Sequence, residues 1–327
     1  MLKIILKFIF AFGILYWLIA QGQLDFSLVQ RAFSTPLLWA GCAFLIIIQN
    51  CVASFRWKTL IETKSSKNLP YFQILKLNWI GLFFSSVLPG AVTGDLIKVV
   101  YARHLDENLN KTFLVTSVFM DRIIGLIGLL FLLGIFSLLN YTNIEKIAPE
   151  MIPVIKINLL LFLGSMIFVG TLFLPKGPKN LILEASSKLP LIGNKVKQTL
   201  NDVWLLGESK MAFIICFALS ILAQALSIFA FWALVTPFLD QPLPFSMAFT
   251  FIPLGFIAIA IPISPAGLGV GHAAFGKLFS YFGITTGASL FNLYFLTFVS
   301  MNILGIFPYL LAGNKKNKPG LSEESLD

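Results

Sequence analysis

Charge is scarce in this chain. Only 12% of its 327 residues are Asp, Glu, Lys or Arg, and acids are scarcer than bases, 15 against 24. Histidine occurs twice and cysteine three times, at Cys42, Cys51 and Cys216, with none of the spacings that hold zinc or form a redox pair. Metal catalysis and a disulfide framework are therefore poorly supplied, and the cysteines read as small packing residues. There is no GxxxxGK[ST] loop for ATP, no HExxH pair and no carboxylate set dense enough for a divalent-metal transferase. The run GLGVGH at 267–272 resembles a dinucleotide glycine loop, but no βαβ context surrounds it.

What the chain has instead is apolar surface: 57% hydrophobic residues, 33 phenylalanines and a mean hydropathy of +0.86. No soluble core of this size can hide that much, so the bilayer must act as solvent. The expected fold class is all-α, a polytopic membrane helix bundle. Runs near 4–20, 37–55, 112–139, 152–175, 211–237 and 288–312 have the length a helix needs to span about 30 Å of hydrocarbon. Two further apolar regions, 71–104 and 246–285, are broken by Pro, Gly and polar residues and do not read as single helices.

Charge sets the expected orientation. The N-terminal run has a basic start but no convincing cleavage site, so it reads as a retained first span. Basic residues gather at Lys3 and Lys7, at Arg56 to Lys76, at Lys176 to Lys210 and at Lys315 to Lys318, all assigned to the cytoplasm by the positive-inside rule. That assignment holds only if 71–104 enters and returns on the cytoplasmic side and 246–285 on the outer side. The expectation is thus six full spans plus two oppositely oriented re-entrant hairpins, an inverted repeat with its site at the repeat interface. One transmembrane domain covers 1–312, and 313–327 is a disordered cytoplasmic tail. Segment 176–210 reads either as a basic amphipathic helix on an anionic leaflet or as a solvated loop. The net charge of +9 then belongs to surfaces facing anionic lipid, not to nucleic acid.

Candidate functional residues follow from cost. Irregular backbone in hydrocarbon leaves amides unpaired, so each hairpin tip must line a protein-walled or watery cavity. In the first hairpin Pro89 and Gly90 break the helix, and Gly94 precedes Asp95, with Lys98 one turn on. Arg103 and His104 follow as interfacial residues. Asp121 and Arg122 lie deep in an apolar span, where an unpaired charge costs at least a few kcal/mol. Asp95 and Lys98 are the partners offered, in a cavity-facing cluster or a purely structural lock. In the second hairpin Pro265, Gly267 and Gly269 precede a restarting helix whose free amides favour an anion such as a phosphate headgroup, and His272 either titrates or bonds within the bundle. Gln49, Asn50, Asn78, Gln224 and Asn302 read as interhelical hydrogen-bonding residues.

Three stretches, LPGAVTGDLIK (88–98), FMDRIIGLIGL (119–129) and IPISPAGLGVGHAAF (261–275), together resemble the lysylphosphatidylglycerol synthase transmembrane-domain family, also called UPF0104, over roughly residues 10 to 312. The resemblance implies a lipid-translocating bundle with re-entrant elements. It places family motif positions on Pro89, Gly90, Gly94 and Asp95, on Arg122 and Gly125, and on Pro265, Gly267 and Gly269. The chain departs from the family at Lys98, where arginine is frequent, at Asp121, where glutamate is frequent, and at His272, where a glutamate commonly stands. The fused enzymes' aminoacyl-transferase domain is not expected here, so the similarity concerns transport.

The resulting expectation is a non-enzymatic flippase or scramblase of the inner membrane, with both termini cytoplasmic and no cofactor or metal. It moves a phospholipid or another anionic or zwitterionic polar lipid, with Lys98 and Arg122 on phosphate, Asp95 and Asp121 holding them or meeting a cationic headgroup, and His272 or the carboxylates moving protons. A non-transporting subunit of an envelope-biosynthesis complex and an intramembrane enzyme on a lipid-linked substrate are the rivals. Homo-oligomers and envelope partners stay open.

Overall fold

A computed structural model of the chain describes residues 16, 30, 34–87, 93–187, 197, 200, 204, 209–260 and 267–313. The expected span 4–20 (Tyr16 apart), the hairpin residues Pro89, Gly90 and Pro265, and the tail from 314 lie outside the described residues. The rest is an all-α membrane bundle with no strand among the described residues. Its helices are α1 Pro36–Glu62, α2 Tyr71–Val87, α3 Thr93–Ala102, α4 Lys111–Leu139, α5 Tyr141–Ile147, α6 Ile152–Leu172, α7 Lys176–Ser187, α8 Lys210–Val235, α9 Phe245–Ala260, α10 Val270–Ser280, α11 Gly287–Ile303 and α12 Ile306–Gly313.

Among the described residues, five helical stretches are long and apolar enough to cross a membrane: Pro36–Glu62, Lys111–Leu139, Pro149–Leu172, Lys210–Phe238 and Gly287–Leu311. They coincide with five of the six expected spans. Local signals start them where the apolar runs begin: Pro36 sits in the first turn of α1, and the Asn110 side chain accepts from the Phe113 N–H at 2.8 Å to cap α4. α6 packs chiefly on α4 and leaves most of its apolar surface uncovered by the chain. In the two broken regions α2 packs on α3 and α9 on α10. The longer arms have 17 and 16 described residues, about 25 Å of helix.

The two halves share one plan. If α1 is exchanged with α8, α2 with α9, α3 with α10 and α4 with α11, every helix pairing within and between these eight elements maps onto another pairing that is present. In the first two helices of each half, sequence similarity follows the exchange at one constant offset: Cys42 with Cys216, Asn50 with Gln224, Trp57 with Phe231, Gly81 with Gly255. The pair α1 and α8, which exchange with each other, pack along much of their length and run antiparallel. Arg56 abuts Cys216 and Ser220, while Cys42 and Ile46 share the apolar cluster of Phe231, Leu234 and Val235. Antiparallel equivalents are what an inverted repeat produces.

The segment between the halves is anchored as well as basic. Trp204 is buried in a cluster with Leu60, Met120, Ile124, Phe213 and Cys216, and Lys179 lies 5.7 Å from its ring centroid. At these residues the segment packs against the bundle.

Candidate functional site

The charge described inside this bundle is assembled from three helices, α1, α3 and α4. Arg56 comes from α1, two turns before its end, although its neighbours in sequence group it with the cytoplasmic basic residues. α1 runs past the expected end of the span at 55 to Glu62, and Arg56 is 7% exposed. Its Nε donates to Asp121 Oδ1 at 2.8 Å and its Nη1 to Ser220 Oγ at 3.1 Å. The Ser220 hydroxyl in turn donates to the Ile124 carbonyl at 2.7 Å. Gly125 leaves room for the guanidinium, since a Cβ there would sit tightly against both terminal nitrogens, at 3.3 and 3.4 Å. Gln224 Nε2 donates to the Gly125 carbonyl at 3.1 Å, tying α8 to α4 over the same notch.

Neighbours at i and i+1 on a helix point apart, and Asp121 and Arg122 accordingly find separate partners. Arg122 Nε donates to Asp95 Oδ2 at 2.6 Å, joining α4 to the first hairpin as the sequence suggests. Asp121 takes Arg56, not Lys98. Lys98 is 3% exposed, with its ammonium 3.7 Å from Asp95 Oδ1, 3.4 Å from Asn78 Oδ1 and 4.1 Å from the centroid of the Trp57 ring. It sits behind Asp95, inside the hairpin. The arms close tightly there: Gly94 lies directly against the Gly81 carbonyl, leaving no room for a side chain.

The second hairpin is finished differently. Gly267 and Gly269 have φ of 78° and 79°, the left-handed region that glycine adopts freely. The Gly269 N–H donates to His272 Nδ1 at 3.3 Å, so this amide is already engaged, and His272 Nε2 faces Asn292 Oδ1 at 3.2 Å. Since Nδ1 accepts, the proton is assigned to Nε2. The ring is fully buried, edge-on to Phe291 and Phe295.

Between the halves lies a cavity of about 480 Å³. Arg56, Asp121 and Arg122 form one edge, Gln224, Ser227 and Tyr294 supply neutral polar groups, and Leu126, Phe256, Ile259, Phe291, Phe295 and Phe298 make a broad apolar wall. The Arg122 side chain is 45% exposed, against 8% for Arg56 and 14% for Asp121. Of the residues singled out from sequence, the structure brings Asp121 and Arg122 to this cavity with Asp95 and Lys98 behind them, and sets His272 beyond the aromatic wall. Sequence reasoning misses Arg56 as a site residue. Its signal is a basic residue beside Trp57 in a run apolar enough to extend the helix past it. Among the described residues, no three His, Cys, Asp or Glu side chains group as a metal site would require.

A family model described as the lysylphosphatidylglycerol synthase TM region matches residues 4–305 of the chain. No curated protein and no solved structure matches it.

Proposed function

The chain belongs to the lysylphosphatidylglycerol synthase TM-region family, and from that membership and the cavity between its halves we propose that it translocates a polar lipid across the inner membrane, with both termini cytoplasmic. The observation that carries the reading is a cavity with a charged edge and an apolar wall, at the interface of two inverted halves in an otherwise lipophilic chain. The headgroup enters at Arg122, whose guanidinium binds phosphate oxygens as a fork and stays charged at any relevant pH. Acyl chains stay against the phenylalanine wall and the bilayer. Asp95, backed by Lys98, holds Arg122 in place, and the Arg56–Asp121 pair fixes the wall that bears it. The two broken helix pairs, each shorter than the hydrocarbon is thick, are re-entrant hairpins entering from opposite sides.

The test is translocation in liposomes carrying the purified protein, read with acyl-labelled phospholipids and a membrane-impermeant quencher. Wild type should move lipid faster than empty liposomes. Arg122→Ala and Asp95→Asn should fall to the empty-liposome rate while folding normally, and Arg122→Lys should retain part of it. An unchanged rate in Arg122→Ala would dismiss the role assigned to that residue.

A further inference from the structure

We propose that the N-terminal run of this chain, residues 8–24, docks in a second groove, of about 390 Å³, between the start of α1 and the end of α11. Trp39 and Ala43 of α1 and Thr297, Ser300 and Met301 of α11 make most of its lining. The exchange of the two halves shows what belongs against these residues. At the offset that pairs Cys42 with Cys216, Trp39 and Ala43 fall on Phe213 and Phe217 of α8. α4 matches α11 at the offset that pairs Gly128 with Gly305, and the contact of Trp57 with Ser117 then recurs as that of Phe231 with Tyr294. Thr297, Ser300 and Met301 are thereby the counterparts of Met120, Ile123 and Ile124.

Those counterparts are covered. Phe213, Phe217, Met120, Ile123 and Ile124 belong to one apolar cluster, closed, besides Leu60 of α1, by Leu172 at the end of α6, Leu183 of α7, and Leu200 and Trp204 of the connecting segment. These four closing residues all come from the chain that precedes α8. In the other half the chain that precedes the equivalent helix is the N-terminal segment, which enters α1 at Pro36, one turn before Trp39. From Phe8 to Leu24 it carries no charge, as an occupant packed in an apolar groove at membrane depth requires. Tyr16 is exposed, and so is Gln30, which falls on Trp204 at the α1–α8 offset, so the contact is made by other side chains of the run. Ala43 and Ser300 stand where Phe217 and Ile123 stand in the other half, which leaves space for them. Asp121 and Phe298, which correspond at the α4–α11 offset, both line the cavity between the halves. The connecting segment thus backs one wall of that cavity and the N-terminal run the other.

Photocrosslinking in the full-length protein reads the occupant directly. Ser300→p-benzoylphenylalanine, at the exposed rim of the groove, is illuminated in membranes, and the product is digested for mass spectrometry. The crosslink should fall within residues 8–24 of the same chain. Adding Ala43→Phe, which gives the groove wall the residue of its counterpart Phe217, should remove most of that product. Ala40→p-benzoylphenylalanine, on the opposite wall and also exposed, serves if the first variant fails to fold. A crosslink to lipid, to a second copy of the chain in a dimer-sized band, or to any other part of the same chain overturns the docking, as does the absence of a crosslink at both positions. A yield unchanged by Ala43→Phe places the run outside the groove and overturns it too. None of these outcomes depends on whether lipid moves, so the docking and the translocation reading fail separately.

Discussion

Lys98 in the first hairpin and Phe275 in the second stand in the same relation to their surroundings. Each lies against a glycine of the partner arm, Gly81 or Gly255, and each covers an aromatic ring on the helix that begins its half. Lys98 holds its ammonium 4.1 Å from the Trp57 ring centroid, and Phe275 stacks 4.6 Å from Phe231. From that common position the halves diverge: Asp95 reaches Arg122 on α4, whereas His272 reaches only the neutral Asn292 on α11. Packing alone is satisfied by the aromatic version, which costs nothing in desolvation. A charged version in the same fold is expensive in hydrocarbon and persists where polarity is used. The first half thus carries the polar edge of the cavity, and the second, through Phe256, Phe291 and Phe295, most of its apolar wall.

The largest expected effect comes from breaking the charged half at its most buried point. Arg56→Ala leaves Asp121 without its cation and should destabilise the protein by about 3–5 kcal/mol, the usual cost of stranding one member of a buried pair. The double variant Arg56→Met with Asp121→Leu should recover much of that loss, because two apolar residues strand nothing. Unfolding midpoints of wild type and both variants in detergent measure the two steps. A double variant as unstable as Arg56→Ala would mean that Arg56 matters through Ser220 and Gly125 and not through its charge partner. A mutation of Ala230, the residue at the matching place in α8, tests the other half: Ala230→Val overfills a packed site without touching a charge and should cost less, about 1–3 kcal/mol.

Much of the architecture is legible in the amino-acid sequence. Apolar runs of spanning length form helices in a bilayer, so α1, α4, α6, α8 and α11 begin within a few residues of the places those runs predict, while α1 runs on to Glu62 and α11 stops at Ile303. The broken regions are visible because Pro and Gly interrupt helices for local steric reasons. Pairing is harder to read. Cost alone suggests Asp95 with Arg122, but it offers Lys98 to Asp121, which instead takes Arg56, delivered by the packing of α1 on α4. Arg56 is easily misplaced because the cluster of lysines just beyond it looks like one cytoplasmic group, while the helix in fact continues through Arg56 to Glu62. The neutral residues Gln224, Ser227 and Tyr294 carry no periodic or charge signal that tells a cavity lining from an interhelical hydrogen bond.

A middle-sized effect separates the use of Lys98 from its shape. Methionine has nearly its length and none of its charge, so Lys98→Met keeps the packing against Gly81 while removing the interactions with Trp57 and Asp95. The loss should be about 2 kcal/mol, the scale of a desolvated cation over an aromatic face. An unchanged midpoint would make Lys98 an equivalent of Phe275, valued for filling space, and the contrast between the hairpins would then narrow to Asp95 and Arg122 alone.

The smallest effect sits at the loop that closes the first hairpin onto α4. Asp106 accepts from the Asn108 N–H at 2.9 Å, the Ser65 hydroxyl at 2.7 Å and the Ser66 N–H at 3.1 Å, clasping this loop to the one after α1. The corresponding turn after α10 makes its own backbone bond instead, Ile284 N–H to the Phe279 carbonyl at 3.1 Å, with Gly283 at φ 74°. The donors around Asp106, the Asn108 amide first and Ser65 next, lower its pKa from 3.8 to about 2. A lowered folded pKa contributes stability that is fully present above the unfolded value and is lost as pH falls through the folded one. The gap in unfolding midpoint between wild type and Asp106→Asn should therefore be flat from neutral pH down to about 4 and close between about 4 and 2. A gap that does not change over that interval would show that the clasp works without the carboxylate's charge, and the two hairpin loops would then be held equally by neutral hydrogen bonds.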